Sequence, residues 1–112
     1  MENELPSDKF MLHEPEWAKL TWEQLQKDAA LCGTEWPEMN IPKVYDDWIE
    51  VLNIQLIRME KQSPDLLQNF LYRVDLPEKA GSFLSPSDAL AAAVLKREFM
   101  KVWFKQKYKE RK

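Results

Sequence analysis

The side chains able to carry chemistry in this chain are few and scattered. His13 is the only histidine. It stands beside Glu14 and Glu16, a grouping that can touch a metal, but a zinc site needs three or four converging ligands. Cys32, the single cysteine, is the only other soft ligand. As a nucleophile it would need a base and a positive microenvironment, and its neighbours Asp28 and Glu35 have the wrong sign. His13 therefore reads as a surface residue and Cys32 as a small buried hydrophobe. Asp46 and Glu50 lie four apart, so a helix places both on one face, where they could act as an acid–base or metal pair. In an acidic half-chain the same pair reads as a solvated face. No glycine-rich phosphate loop, Ser-His pairing or Cys-His-Asp set is present. The expectation is a protein that is not an enzyme, with no catalytic residue, metal or cofactor.

Binding features are better represented. Tyr72-Arg73-Val74-Asp75 closes a short apolar segment, and Arg73 is read as half of an arginine–carboxylate pair pinning the loop 76–85; an anion-gripping pocket is the other reading. The run F-M-K-V-W-F-K-Q-K-Y-K-E-R-K at 99–112 interleaves Lys101, Lys105 and Lys107 with Trp103, Phe104 and Tyr108. Such a pattern fits nucleic acid, where aromatics stack on bases and lysines meet phosphate. It also fits an anionic membrane surface or a partner's groove. The plain alternative is a last helix whose aromatics are core and whose cations complement its C-terminal dipole.

These residues must be positioned by helices. Ser63-Pro64-Asp65 combines an N-cap serine, a proline at the first helical position and an acid in the first turn. Leu67, Phe70, Leu71 and Val74 then share one face, and Leu76-Pro77 ends the run. This segment is the expected central packing element. Thr21-Trp22-Glu23-Gln24 matches a capping box, which predicts a first helix over 22–32 with Gly33 as its left-handed cap. Residues 34–42 read as a connector carrying Trp36 and Met39. Pro42 opens a second helix running to about Lys61, with Ile41, Tyr45, Trp48, Leu52, Leu56 and Met59 as an apolar stripe. Ile49, Val51, Ile54 and Ile57 widen its apolar surface beyond one face, as expected of a central helix or a subunit interface. The short Gln62-Ser63 link sets this helix against the next, antiparallel or nearly so. Phe83 and Leu84 are possible anchors of the following loop. Ser85-Pro86 repeats the cap signal, and the last helix spans 86 to about 108, with Ala92, Leu95, Phe99, Val102 and Trp103 inward. Residues 1–20 hold two prolines but also Leu5, Phe10, Met11, Leu12, Trp17 and Leu20, which predicts a partly docked N-terminal arm. The sum is an all-α, small four-helix bundle over 21–112 with an irregular N-terminal arm over 1–20.

Composition bounds the same picture. A chain of 112 residues is one domain by length, and 45% apolar with 31% charged residues is a globular balance. Two glycines are too few for a turn-rich strand fold. No apolar run approaches the ~20 residues that span a bilayer. The acidic start lacks the pattern of a signal peptide, so the expected location is cytoplasmic. Charge is lopsided: twelve acids against four lysines in residues 1–50, and eight bases against two acids in residues 96–112. Head and tail can attract each other within one chain or between two.

L-Y-R-V-D-L at 71–76, with D-A at 88–89 and K-R-E at 96–98 in a basic last helix, resembles a family of short uncharacterised all-helical bacterial proteins. The resemblance covers roughly residues 50–105. It implies a small helical cytosolic protein of bacterial type, and it brings no catalytic motif.

The functional expectation is a non-enzymatic protein–protein interaction module, a homodimer. Its basis is the over-wide apolar surface of the second helix, the apolar N-terminal arm and five tryptophans in a short chain, a residue type that suits interface centres. The alternative is a nucleic-acid accessory factor using the basic C-terminal helix; membrane binding ranks last. The candidate interaction residues are Trp48, Ile54, Arg73, Asp75, Lys101, Trp103, Lys105, Lys107 and Tyr108.

Overall fold

Proline starts two of the helices. The computed structural model describes residues 6–76 and 85–110, except the side chain of residue 110. Within these residues the elements are α1 (Asp8–Met11), α2 (Pro15–Leu31), α3 (Tyr45–Gln62), α4 (Pro64–Val74) and α5 (Asp88–Glu110). Pro15 and Pro64 occupy the first turns of α2 and α4, where the missing N–H breaks no helical bond. The fold is all-α. Of the loop 76–85, residues 77–84 lie outside the described residues, and with them the expected anchors Phe83 and Leu84.

The first long helix begins earlier than the capping box predicts. Thr21 is not a cap: it sits inside α2, fully buried, and its Oγ1 has no hydrogen-bond partner. Pro15 is the reason, acting as a helix starter and not as a breaker. The Glu14 carbonyl accepts the Ala18 N–H at 2.9 Å. The inward spacing of Ala18, Trp22, Leu25 and Ala29 then carries the helix through. The second half of the expected arm is thus part of the bundle, and Leu12 just ahead of it is also buried.

The other end of α2 follows the expectation. Gly33 has φ of +85°, the Thr34 N–H reaches the Ala29 carbonyl at 3.1 Å, and the Gly33 N–H reaches that of Ala30 at 3.0 Å. This pair of bonds is a Schellman closure. Elsewhere the caps differ. The Ser63 side chain makes no cap bond; its carbonyl takes the Leu66 N–H at 3.1 Å instead. For α5 the capping serine is Ser87, whose Oγ accepts the Leu90 N–H at 3.1 Å, and not Ser85. Tyr45, not Pro42, opens α3, because Val44 is extended.

α3 packs on α5 and α4, and α2 crosses α5 and α4. Trp48, Leu52 and Leu56 of α3 meet a core with Leu25, Phe70, Val74, Leu90, Leu95 and Phe99. Aromatics join the layers at two places. Trp22 lies edge-on to both Trp36 and Trp48, with ring centroids 5.7 Å apart in each pair, and Trp36 stacks on Phe70 at 6.1 Å. Separately, Trp17 packs on Phe99 at 5.9 Å and on Trp103 at 5.4 Å. Such contacts favour edge-on or offset rings and add to simple area burial.

Candidate functional site

α3 has an inner face and an outer face of unequal character. Trp48, Leu52, Gln55, Leu56 and Met59 point inward. Directly opposite run Asp47, Glu50, Ile54, Ile57 and Lys61, spaced three, four, three and four apart, and all are exposed. Ile54 keeps 53% of its surface and Ile57 37%. The expected widening of the apolar surface is therefore real at these two positions, while Val51 and Ile49 are half-buried. Trp48 requires a correction. It is fully enclosed, at 0% exposure, against Trp22. A partner cannot reach it through an intact core, so Trp48 belongs to the fold.

The C-terminal half of α5 divides in the same way. Trp103 is half-buried against Trp17 and Phe99, and Lys107 lies over its ring at 4.6 Å. Phe104 and Tyr108 are exposed, at 53% and 71%, so the aromatics of this tail are only partly core. Lys105 donates to Gln24 Oε1 at 2.9 Å. Lys101 is the second correction among the interaction residues. Its ammonium lies 2.7 Å from Asp28 Oδ2, 2.9 Å from Glu98 Oε1 and 2.9 Å from the Arg73 carbonyl oxygen. Those three partners leave it little to offer a partner molecule.

Around Lys101 stands a buried polar cluster that the residue pattern did not disclose. Glu98 is 0% exposed and Asp28 nearly so. Gln24 Nε2 donates to Asp28 Oδ1 at 3.3 Å, which extends the chain of contacts from Glu98 through Lys101, Asp28 and Gln24 to Lys105 at the surface. Glu98 Oε1 lies 2.9 Å from the Lys101 ammonium. Burial, reinforced by the Asp28 carboxyl, pushes the Glu98 carboxyl up to about 9 against the opposing pull of Lys101. The signal was present in position alone: Asp28 follows Leu25 by three and Glu98 follows Leu95 by three, which places both acids on inward faces.

The expected pinning of the loop falls on residues 77–84, outside the described residues, and Arg73 and Asp75 do not pair with each other. Both are exposed, and the arginine that meets Asp75 is Arg97 of α5, at 3.0 Å. Arg73 contributes its carbonyl to Lys101. Asp75 ends α4 in a left-handed conformation, φ 68°, which aims its side chain at α5. Among the described residues, neither the hollow between α2 and α5 nor that beside Asp8 and Lys96 is lined by Arg73 or Asp75.

Among the described residues, surface hollows occur where other elements meet. One, of about 230 Å³, lies between α2 and α5 beside Gln24, Lys27, Val102 and Lys105; another, of about 340 Å³, lies beside Asp8, Lys96 and Phe99. Neither gathers His13, Cys32, Asp46 or Glu50. Burial raises the Cys32 thiol, away from the thiolate form. Among the described residues no three His, Cys, Asp or Glu side chains gather as metal ligands, and no helix is long and apolar enough to cross a membrane. Compared with protein families, curated proteins and solved structures, the chain matches none.

Proposed function

We propose that this protein is a non-enzymatic helical interaction module that binds a protein partner through the outer face of α3. The observation that carries this is the exposure of Ile54 and Ile57 on a helix whose opposite face is fully used by the core. Exposed apolar side chains in line along one helix suit helix-to-helix recognition. The tryptophans no longer support the reading, because Trp22, Trp36 and Trp48 are spent inside the bundle. The test compares immobilised full-length protein with an Ile54→Asp, Ile57→Asp variant of unchanged circular dichroism. A polypeptide retained by the first and lost by the second is the expected result. Retention that ignores both isoleucines would sink the reading.

A second reading, a nucleic-acid accessory factor, is favoured by one observation: exposed Phe104 and Tyr108 beside Lys105, Lys107 and Lys109. It ranks lower because Lys101 and Lys105 already hold Asp28 and Gln24, and Lys107 lies on Trp103. Binding of a single-stranded oligonucleotide that weakens by several orders of magnitude with added salt would reverse the ranking.

A further inference from the structure

The outer strip of α3 has a sequence of charges as well as an apolar centre. Its acids, Asp47 and Glu50, stand at the N-terminal end; Ile54 and Ile57 follow; Arg58 and Lys61 stand at the C-terminal end. All six are exposed. Asp47, Glu50 and Lys61 enter no ion pair among the described residues. Arg58 is tied only to its own helix, donating to Gln55 Oε1 at 2.9 Å. A strip that is acidic at one end and basic at the other is complementary to itself when reversed.

We infer, resting on the interaction reading above, that the partner is a second copy of this chain, packed antiparallel along α3 about a two-fold axis at Ile54. Reversal about that residue sets Asp47 opposite Lys61, Glu50 opposite Arg58, Val51 opposite Ile57, and Ile54 opposite itself. Each charged position thus meets its opposite, and each apolar position meets an apolar one. A parallel pairing sets acid on acid and base on base, which is repulsive. One patch serves both copies, as a closed two-fold interface requires. The three-four spacing keeps the strip facing its mate through the whole contact, with the shallow crossing of a coiled-coil seam. Asp47 to Lys61 is fourteen residues, about 21 Å of helix. A single helix of that length buries less than the ~800 Å² per partner of a standard interface, so the dimer is a weak and rapidly exchanging one.

Sedimentation equilibrium on the full-length chain, from about 10 µM to about 1 mM because the interface is small, provides the test. The expected result is a mass that climbs from monomer toward dimer with concentration. Asp47→Lys alone and Lys61→Asp alone each weaken association about tenfold, since each puts like charges at two symmetry-related places. Asp47→Lys combined with Lys61→Asp in one chain restores it, because the exchanged pair still matches across the axis. Ile54→Asp abolishes it while thermal melting stays put, the side chain being on the surface. A monomer mass at every concentration overturns the dimer. If the isoleucine-dependent capture of a different polypeptide persists in that case, the interaction reading survives and only the second copy is wrong. Association that the paired exchange fails to restore overturns the antiparallel register.

Discussion

Glu98 holds a proton at neutral pH because its enclosure and a second carboxyl beside it, Asp28, together outweigh the pull of Lys101. In the unfolded chain the same group titrates near 4.5. Between that value and about 9 the folded state therefore binds the extra proton, so stability falls as pH rises through this window. Glu98→Gln keeps the shape and removes the titration. Its urea midpoint should match the parent near pH 4, exceed it by pH 8, and change little in between; a profile parallel to the parent's would show that Glu98 is not the source. Lys101→Met has the opposite character. It leaves the buried Asp28 without its Lys101 partner and should cost about 3 kcal/mol or more, read from the same denaturation curves. Neither residue announced this role by type. Glu98 lies in a run dominated by lysine and arginine, and Lys101 looked like one cation among many. Only the placement of α2 across α5 turns an acid of the first half and a base of the tail into one buried pair.

At the scale of elements, periodicity and punctuation were legible and cap chemistry was less so. α4 runs Pro64–Val74 as its proline and its apolar spacing indicate. Gly33 closes α2 as its position indicates. Thr21 misled, because T-x-x-Q is also an ordinary stretch of helix interior, and nothing local distinguishes the two once Pro15 has started the helix upstream. One substitution separates the cases. A capping threonine loses about 1 kcal/mol when its hydroxyl is removed. At a buried, unpartnered hydroxyl the loss vanishes, so Thr21→Val should leave the denaturation midpoint unchanged or higher. Gly33→Ala should cost about 1 kcal/mol from its left-handed backbone alone, since a Cβ there meets nothing within 4 Å. The spacing of Trp48, Leu52, Leu56 and Met59 marks one face of α3, and the structure makes that face core, Trp48 included. Trp48→Ala should accordingly cost about 3–5 kcal/mol by opening a cavity between α2 and α3, measured by chemical denaturation.

For the whole molecule, the sequence disclosed the class of object, an all-α bundle, because hydrophobic spacing and a shortage of glycine both act locally. The attraction between acidic head and basic tail was foreseen in outline, and Lys101–Asp28 is one place where it is realised within the chain. Which exposed residues form a surface was not foreseen, since that depends on which face of α3 the other helices cover. The tryptophans show how much the assembly decides. They divide into an enclosed set, Trp22, Trp36 and Trp48, and a half-buried set, Trp17 and Trp103. The two sets answer light differently. The enclosed indoles emit toward the blue and resist acrylamide, whereas Trp17 and Trp103 are open to the quencher. Time-resolved emission can then watch the start of α2 and the centre of the bundle in one unlabelled sample. If α2 unwinds from Pro15 before the bundle opens, the quenched fraction changes first, and the chain reports its own order of disassembly.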